Sequence, residues 1–183
     1  MERNSDNMKP LISIIILNYN AGNLLIDCVS SIQKSVYTNY EIILIDNISK
    51  DNSHKKCKEK FPIIKLIENK ENLGYCEGNN IGLKQVDSEY CIILNPDTEV
   101  EPNWINEFLR EYKNHGEGLY QPKLLVTSDK TRINSGGNMM NIFGFGYSIG
   151  KGKKDSEEFN KFKLINYASG ACLFTSKKIL DKI

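Results

Sequence analysis

Apolar residues form four short runs along the first hundred residues of the chain, and polar residues end each run. The runs span residues 11–17, 41–45, 63–68 and 90–94. Nearly continuous apolar runs of this length are typical of strands that are covered on both faces, as in a parallel sheet. The pattern therefore predicts four buried strands.

Apolar residues recur at helical spacing over residues 23–36 and 102–114, which predicts two helices, the second with Pro102 in its first turn. A short charged helix is predicted over residues 54–60, and a further helix over residues 77–86. Strands that alternate with helices through short links indicate the α/β class, with a doubly wound, mostly parallel sheet flanked by helices. In such a sheet, ligands bind outside the carboxyl ends of the strands.

The periodicity is weaker after Gly116. Strands are predicted over 120–126 and 167–174, and Gly170 interrupts the second one at a point where another group must approach the backbone closely. Ser176 is predicted to cap a short helix that begins at Lys177. The polar segment 1–10 is predicted to be a flexible leader, and residues 11–183 to form one domain.

Polar clusters follow three of the predicted strands. The clusters are Asn18-Tyr19-Asn20, the segment 46–49 that begins with Asp46, and Asn95-Pro96-Asp97. The proline restricts the backbone of its own turn, and a carboxylate held there suits a hard cation that carries a diphosphate. Each aspartate alone is explained equally well as a turn residue. Their convergence at one edge of the sheet favours a ligand site.

Composition excludes several classes of protein. The net charge of +1 gives no support for a nucleic-acid partner, and five cysteines without C-x-x-C spacing argue against disulfides and zinc. Free thiols indicate a reducing cytosol. The absence of G-x-G-x-x-G and P-loop motifs argues against dinucleotide oxidoreductases and P-loop hydrolases. The aromatic stripe around Trp104 is predicted to be core rather than a platform for a sugar.

Four ordered sequence blocks resemble a known family. The blocks are residues 14–20 (IIILNYN), 45–53 (IDNISKDNS), 71–75 (ENLGY, with Asn80) and 94–98 (LNPDT). In this order they resemble the family 2 inverting glycosyltransferases, and in particular the rhamnosyltransferase-like branch. The segment 167–174 is similar to a later strand on the acceptor side of that family, so that the resemblance covers about residues 11–174.

The resemblance implies a GT-A fold, a nucleotide-diphosphate sugar donor, a divalent cation (Mg²⁺ or Mn²⁺) and transfer with inversion to a glycan or lipid-linked acceptor. The implied donor-site residues are Asn18, Tyr19, Asn20, Asp46, Asn72, Gly74, Asn80, Asn95 and Asp97. Among them, Asp46 would contact the base or ribose, and Asp97 would bind the metal or diphosphate from the second carboxylate position of the D-x-D motif. Gly170 and Ala171 would lie on the acceptor side.

Two departures from the family pattern are visible. Asn95 replaces the first aspartate of the D-x-D motif. The acidic catalytic base of the family follows the strand that resembles residues 167–174, and the chain ends before that position, so the domain is predicted to be incomplete at its C-terminus and no catalytic residue is assigned.

For a protein of this family we expect a cytoplasmic location, with peripheral association at the inner face of a membrane. Two alternatives remain open: a non-catalytic sugar-nucleotide-binding module and a nucleotidyltransferase. The nucleotidyltransferase needs a Gly-rich basic loop after the first strand, where this chain has residues 18–23 (NYNAGN). The sequence makes no prediction of oligomeric state.

Overall fold

The computed structural model describes residues 11–182 and has the predicted alternation of strands and helices in its first part. The strands are β1 Ile12–Asn18, β2 Tyr40–Asp46, β3 Lys65–Glu68, β4 Tyr90–Leu94, β5 Leu124–Val126, β6 Asp129–Ser135, β7 Asn138–Met140, β8 Gly146–Ser148 and β9 Cys172–Ser176. The helices are α1 Asn23–Ile32, α2 Ser53–Lys60, α3 Gly74–Leu83, α4 Trp104–His115 and α5 Lys177–Leu180, with a short 3₁₀ turn at Glu157–Phe159.

The central sheet has five strands in the order β3-β2-β1-β4-β9. The first four are parallel, whereas β9 runs antiparallel to β4 at the edge. Helices connect the parallel strands, so their carboxyl ends meet at one edge of the sheet. The predicted α/β class and the mostly parallel sheet flanked by helices are confirmed.

Both faces of the sheet are covered, which explains the nearly continuous apolar runs. Ile14 and its alternate neighbours on β1 face the larger core against α1 and α4, while Ile15 faces a second core with Ile45. Helix α3 lies very close to this second face at Gly82. A Cβ at Gly82 would lie 2.6 Å from Ile45 Cδ1 and 2.7 Å from Ile15 Cγ2.

An aromatic cluster joins α4 to the antiparallel edge strand. The ring of Phe174 stacks on those of Phe108 and Tyr90, with centroids 5.1 Å and 5.3 Å away. Trp104 is buried, and its indole N–H donates to the Ser35 hydroxyl at 2.8 Å. The prediction that the aromatic stripe of α4 is core is confirmed.

Several boundaries differ from the predicted ones, at places where hydrogen-bonded turns interrupt the periodicity. Helix α1 ends at Ile32 rather than at residue 36, β3 begins at Lys65, and α4 begins at Trp104, two residues after Pro102. Helix α3 begins at Gly74 rather than at residue 77. Asn79 and Asn80 therefore lie well within α3.

The region after Gly116 contains two hairpins that the sequence pattern does not reveal. These are the pairs β5–β6 and β7–β8. The strand predicted over 120–126 is reduced to Leu124–Val126, and the one predicted over 167–174 begins only at Cys172. Ser176 precedes α5 as predicted, but its side chain makes no capping hydrogen bond.

The predicted flexible leader, residues 1–10, lies outside the described residues. Within residues 11–182, no helix has the length and apolar character needed to cross a bilayer.

Candidate functional site

A cavity of about 440 Å³ opens at the carboxyl ends of β1, β2 and β4. It is lined by Leu17, Tyr19, Ala21, Leu24, Asn47, Asn72, Gly74, Tyr75, Asn95, Pro96 and Asp97. This is the edge at which ligands bind in open α/β sheets. Five of the predicted donor-site residues line the cavity: Tyr19, Asn72, Gly74, Asn95 and Asp97.

The Asn95-Pro96-Asp97 turn forms one wall of this cavity. The Asn95 backbone N–H donates to the Ala171 carbonyl oxygen at 3.0 Å, and the Thr98 N–H closes the turn onto the Asn95 carbonyl at 3.2 Å. The backbone is thus fixed, whereas the side chains of Asn95 and Asp97 make no hydrogen bond or ion pair with another residue in the described part of the chain. Their oxygen atoms are available to a ligand.

The same turn borders a second cavity of about 460 Å³. Asn95 and Asp97 line both cavities, and Ala171 lines only the second. Charged residues of both signs also line this second cavity, and Glu99 pairs there with Lys130 at 3.1 Å. The carboxylate of Asp97 therefore stands between two spaces and can contact a ligand in either one.

Asp46 lies beneath the first cavity rather than on its wall. Its side chain is 2% exposed. Oδ1 accepts hydrogen bonds from Asn18 Nδ2 at 2.8 Å and from the Ser49 hydroxyl at 2.6 Å, and Oδ2 accepts the Ser49 backbone N–H at 2.8 Å. A carboxylate has about four acceptor positions, so one position on Oδ2 remains for a further donor.

A histidine that the sequence reasoning did not select lies against this carboxylate. His54 is 3% exposed, with Nδ1 3.3 Å from Asp46 Oδ1 and Nε2 3.2 Å from Glu68 Oε1. Nδ1 has no partner at hydrogen-bond geometry within the described residues. The imidazole therefore packs against the Asp46 carboxylate and limits its movement without a directed hydrogen bond.

Besides Asp46, three predicted residues do not line the cavity. Asn18 is fully buried and donates to Asp46 and Ser53, while the Oδ1 of Asn20 accepts the Lys50 backbone N–H at 2.7 Å. Asn80 is exposed on α3, where its amide lies 3.4 Å from Glu77 Oε2. Asn18 and Asn20 therefore hold the loop after β2, and Asn80 is directed to solvent.

Two cavity residues escaped selection although both belong to the motif blocks. Asn47 is buried and donates to the Gly74 carbonyl at 3.0 Å, which ties the end of β2 to the start of α3. The Tyr75 hydroxyl donates to the Gly170 carbonyl at 2.7 Å. The sequence could have indicated both residues, because Asn47 is adjacent to Asp46 and Tyr75 is the last residue of the ENLGY block.

The close approach predicted at Gly170 is confirmed. A Cβ at Gly170 would lie 2.3 Å from the Tyr75 hydroxyl oxygen. Burial raises the pKa of Tyr75, with a smaller contribution from Cys76, so the hydroxyl stays protonated and can donate. This contact joins the first cavity to the segment predicted to face the acceptor.

A thiol near the site does not have nucleophilic character. Cys28 Sγ lies 3.6 Å from the Asn95 carbonyl oxygen. Burial raises the pKa of Cys28 to about 12, with smaller contributions from Cys57 and Asp97. The thiol therefore remains protonated near neutral pH and acts as an apolar contact.

Few side chains near the cavity could bind a metal ion. Across residues 11–182 there is no group of three or more His, Cys, Asp or Glu side chains that could hold a metal. Mg²⁺ is commonly bound by one or two carboxylates together with substrate phosphates and water. The uncommitted carboxylate of Asp97 fits that mode, in which the diphosphate supplies the remaining ligands.

Comparison with known proteins identifies the family. The model of "Glycosyl transferase family 2" matches residues 13–183. The chain belongs to glycosyltransferase family 2. The family resemblance of the sequence blocks is thus confirmed.

Two curated relatives illustrate the match. Glycosyltransferase GlyG of Streptococcus pneumoniae is 32% identical over 108 residues, which cover 57% of this chain and 36% of the relative. The UDP-Glc:alpha-D-GlcNAc-diphosphoundecaprenol beta-1,3-glucosyltransferase WfgD of Escherichia coli is 33% identical over 88 residues, which cover 48% of this chain and 35% of the relative. The chain thus matches only about a third of the length of each.

A solved structure supports the GT-A fold. The mannosyltransferase PcManGT from Pyrobaculum calidifontis, solved in complex with GDP-Man and Mn²⁺, matches with a TM-score of 0.67 at 14% identity. The match covers 96% of this chain and 47% of that protein. At this identity the likeness shows the fold alone.

Proposed function

We propose that this chain binds a nucleotide-diphosphate sugar in the cavity at the carboxyl ends of β1, β2 and β4, and that it transfers the sugar with inversion. The observation that carries the proposal is the Asn95-Pro96-Asp97 turn, whose backbone is fixed while its side-chain oxygens are uncommitted. The cavity of about 440 Å³ falls within the size range of small-molecule sites.

The proposed contacts follow from the positions of the polar groups. The diphosphate would lie beside Asp97, and Asp46 would accept a hydrogen bond from the base or ribose through the free position on Oδ2. Tyr19 is half exposed at the cavity and offers an aromatic face to the base. Asn72, which lines the cavity, would also contact the donor, although its Oδ1 already accepts the Gly74 N–H at 2.9 Å.

Asp97 would hold a Mg²⁺ or Mn²⁺ ion together with the diphosphate. Such an ion stabilises the negative charge that develops on the leaving nucleoside diphosphate. The role of this chain in that step is to fix one carboxylate at the junction of the two cavities. PcManGT, which was solved with both GDP-Man and Mn²⁺, supports the choice of ligand class.

The acceptor would approach from the second cavity, past Gly170 and Ala171. A glycan or lipid-linked acceptor is proposed because WfgD is named for a diphosphoundecaprenol acceptor. Action on such a lipid would place the enzyme at the cytoplasmic face of a membrane. Inverting transfer needs a base at the acceptor hydroxyl, and no residue of the described chain is assigned to it.

Calorimetry tests donor binding directly. UDP, GDP and dTDP are titrated with and without Mn²⁺ into the wild type and into Asp97→Asn. We expect binding of at least one nucleotide diphosphate, and a loss of about tenfold in Mn²⁺-dependent affinity for the variant, since a tenfold change corresponds to about 1.4 kcal/mol. Without Mn²⁺, the two proteins should bind alike.

The matched control is Asp87→Asn, because Asp87 is exposed at the opposite end of β4. This variant should retain the affinity of the wild type. Failure of the wild type to bind any of the three nucleotides at millimolar concentration would contradict the proposal. Equal Mn²⁺ dependence in Asp97→Asn and wild type would remove Asp97 as the metal ligand.

A further inference from the structure

The β7–β8 hairpin exposes an unusual amount of apolar surface. No charged residue occurs between residues 133 and 150, although charged residues make up 26% of the chain. Ile142 is 93% exposed, Phe143 78% and Phe145 70%. Met140 and Tyr147 flank them and are about half exposed. Contiguous exposed apolar surface of this kind marks an interaction site.

The apolar side chains at residues 142–145 are exposed because a hydrogen-bonded turn holds them there. Asn141 Oδ1 accepts the backbone N–H groups of Phe143 and Phe145, both at 3.0 Å, and the Asn141 N–H donates to the Phe145 carbonyl at 3.0 Å. Gly144 has a φ of 83°, which a larger residue would adopt only with strain. These contacts direct the apolar side chains away from the body of the domain.

The base of the hairpin is tied to the domain by further contacts. The Met140 N–H donates to Asn166 Oδ1 at 2.8 Å, and Gly146 packs on the Tyr167 ring. The buried Asn138 donates to Gln121 Oε1 at 2.7 Å. The hairpin is therefore positioned as a rigid projection with an apolar end.

Positive charge lies at the base of this hairpin. Lys151, Lys153 and Lys154 follow the hairpin directly, are exposed, and form no ion pair with another residue of the described chain. The N–H of Ile133 donates to the Lys153 carbonyl at 2.9 Å, which holds this lysine segment where the hairpin leaves the domain. Residues 133–167 carry five lysines against three acidic residues, while the whole chain has a net charge of +1.

We propose that the β7–β8 hairpin docks on the surface of an anionic phospholipid membrane. Ile142, Phe143 and Phe145 would enter the boundary between headgroups and acyl chains, and the lysines at residues 151–154 would contact anionic headgroups. Apolar side chains and flanking basic residues act together in this way at membrane surfaces. The inference rests on the proposed function in that docking would bring the enzyme to a lipid-linked acceptor.

A second copy of the chain is the competing occupant. A stable dimer buries about 800 Å² on each partner with complementary packing, whereas the exposed apolar residues here are concentrated in one short hairpin. Repulsion between the lysine segments of two copies would further oppose pairing of this surface with itself. Both features favour a fluid anionic surface over a second hairpin.

Sedimentation with lipid vesicles tests the proposal. The full chain is mixed with vesicles of phosphatidylcholine alone or with added phosphatidylglycerol. We expect the wild type to bind the anionic vesicles. For the double variant Phe143→Ser/Phe145→Ser we expect the affinity to fall at least about tenfold, because the membrane would no longer bury two aromatic side chains. The matched control is Ile63→Ser, since Ile63 is 82% exposed but lies elsewhere.

The charge contribution is tested separately with Lys151→Gln/Lys153→Gln/Lys154→Gln. Affinity for anionic vesicles should fall about fivefold for each lysine removed, and the salt dependence of binding should weaken. Nucleotide binding measured by calorimetry should be unchanged in all of these variants. A failure of donor binding in the wild type would thus be seen separately from a failure of vesicle binding.

Three outcomes would overturn the proposal. These are no binding of the wild type to anionic vesicles, equal binding of the wild type and Phe143→Ser/Phe145→Ser, and a larger loss for Ile63→Ser. Light scattering supplies a fourth: a dimer of the wild type that becomes a monomer in Phe143→Ser/Phe145→Ser would assign the surface to a second copy. The variants should retain the wild-type melting temperature, because the altered side chains are exposed.

Discussion

The parallel part of the sheet, residues 12–115, and the hairpin region, residues 118–176, are built on different principles. In the first region, each strand is apolar on both faces and each helix returns the chain to the same sheet. In the second region, two short hairpins are linked to the rest of the domain largely by side-chain hydrogen bonds, and a single antiparallel strand, β9, pairs with β4. The first region supplies the cavity at the carboxyl ends of β1, β2 and β4, and the second supplies the exposed hairpin.

This difference between the regions indicates which residues stabilise the domain. The second region contributes little to the two apolar cores, with Phe174 and Cys172 as its main buried members there. Most of its large apolar residues are at least partly exposed. We therefore expect changes in the second region to be well tolerated, except where it enters the core through β9.

The largest expected effect is that of Phe174→Ala. Phe174 is fully buried and stacks on Phe108 and Tyr90. Removal of a buried phenylalanine costs about 3–5 kcal/mol, so denaturant unfolding should show a loss of that size. The control Ile142→Ala, at a side chain that is 93% exposed, should change stability by less than about 0.5 kcal/mol. A small effect of Phe174→Ala would show that the edge strand is not part of the cooperative unit.

An intermediate effect is expected for Asp46→Asn in the parallel region. The new amide NH₂ would face either the Asn18 amide or the Ser49 backbone N–H, which now donate to different oxygens of the carboxylate. An unsatisfied buried polar group costs about 1–3 kcal/mol. Thermal unfolding and nucleotide calorimetry should both register the change. Asp27→Asn, on the exposed side of α1, is the matched control and should leave both unchanged.

The smallest effect is expected where the two regions meet. Gly170→Ala should displace the Tyr75 hydroxyl, which lies 2.3 Å from the new Cβ position, and should cost about 0.5–1.5 kcal/mol through loss of one hydrogen bond. In a Tyr75→Phe background the same substitution should cost less, because that hydrogen bond is already absent. A double-mutant cycle measures this coupling. Simple additivity of the two changes would show that the contact does not join the regions energetically.

The accuracy of the sequence-based predictions differs between the regions in the same way. The four parallel strands are found from their apolar runs, and Tyr90–Leu94 is found to the residue. The hairpins at 124–135 and 138–148 are missed, because their strands are short or largely face solvent. Periodicity is informative only where burial is continuous.

The candidate site shows the same limit at the level of single residues. Asn95 and Asp97 are found because they follow a strand in a turn that proline defines. Asn18 belongs to an equally clear motif, yet the structure places it under the Asp46 carboxylate with its side chain fully buried. A motif at a strand end selects the neighbourhood of a site, but it does not show which side chains of the motif face the cavity.

The sequence by itself determined the fold class, the family and the edge of the sheet at which the polar clusters converge. It could do so because strand burial and strand-end polarity are local features of the chain. Only the tertiary structure decided that Asp97 stands between two cavities, that Tyr75 reaches Gly170, and that residues 141–147 project into solvent. Each of these depends on contacts between segments that are distant along the chain, or on the way a turn directs its side chains.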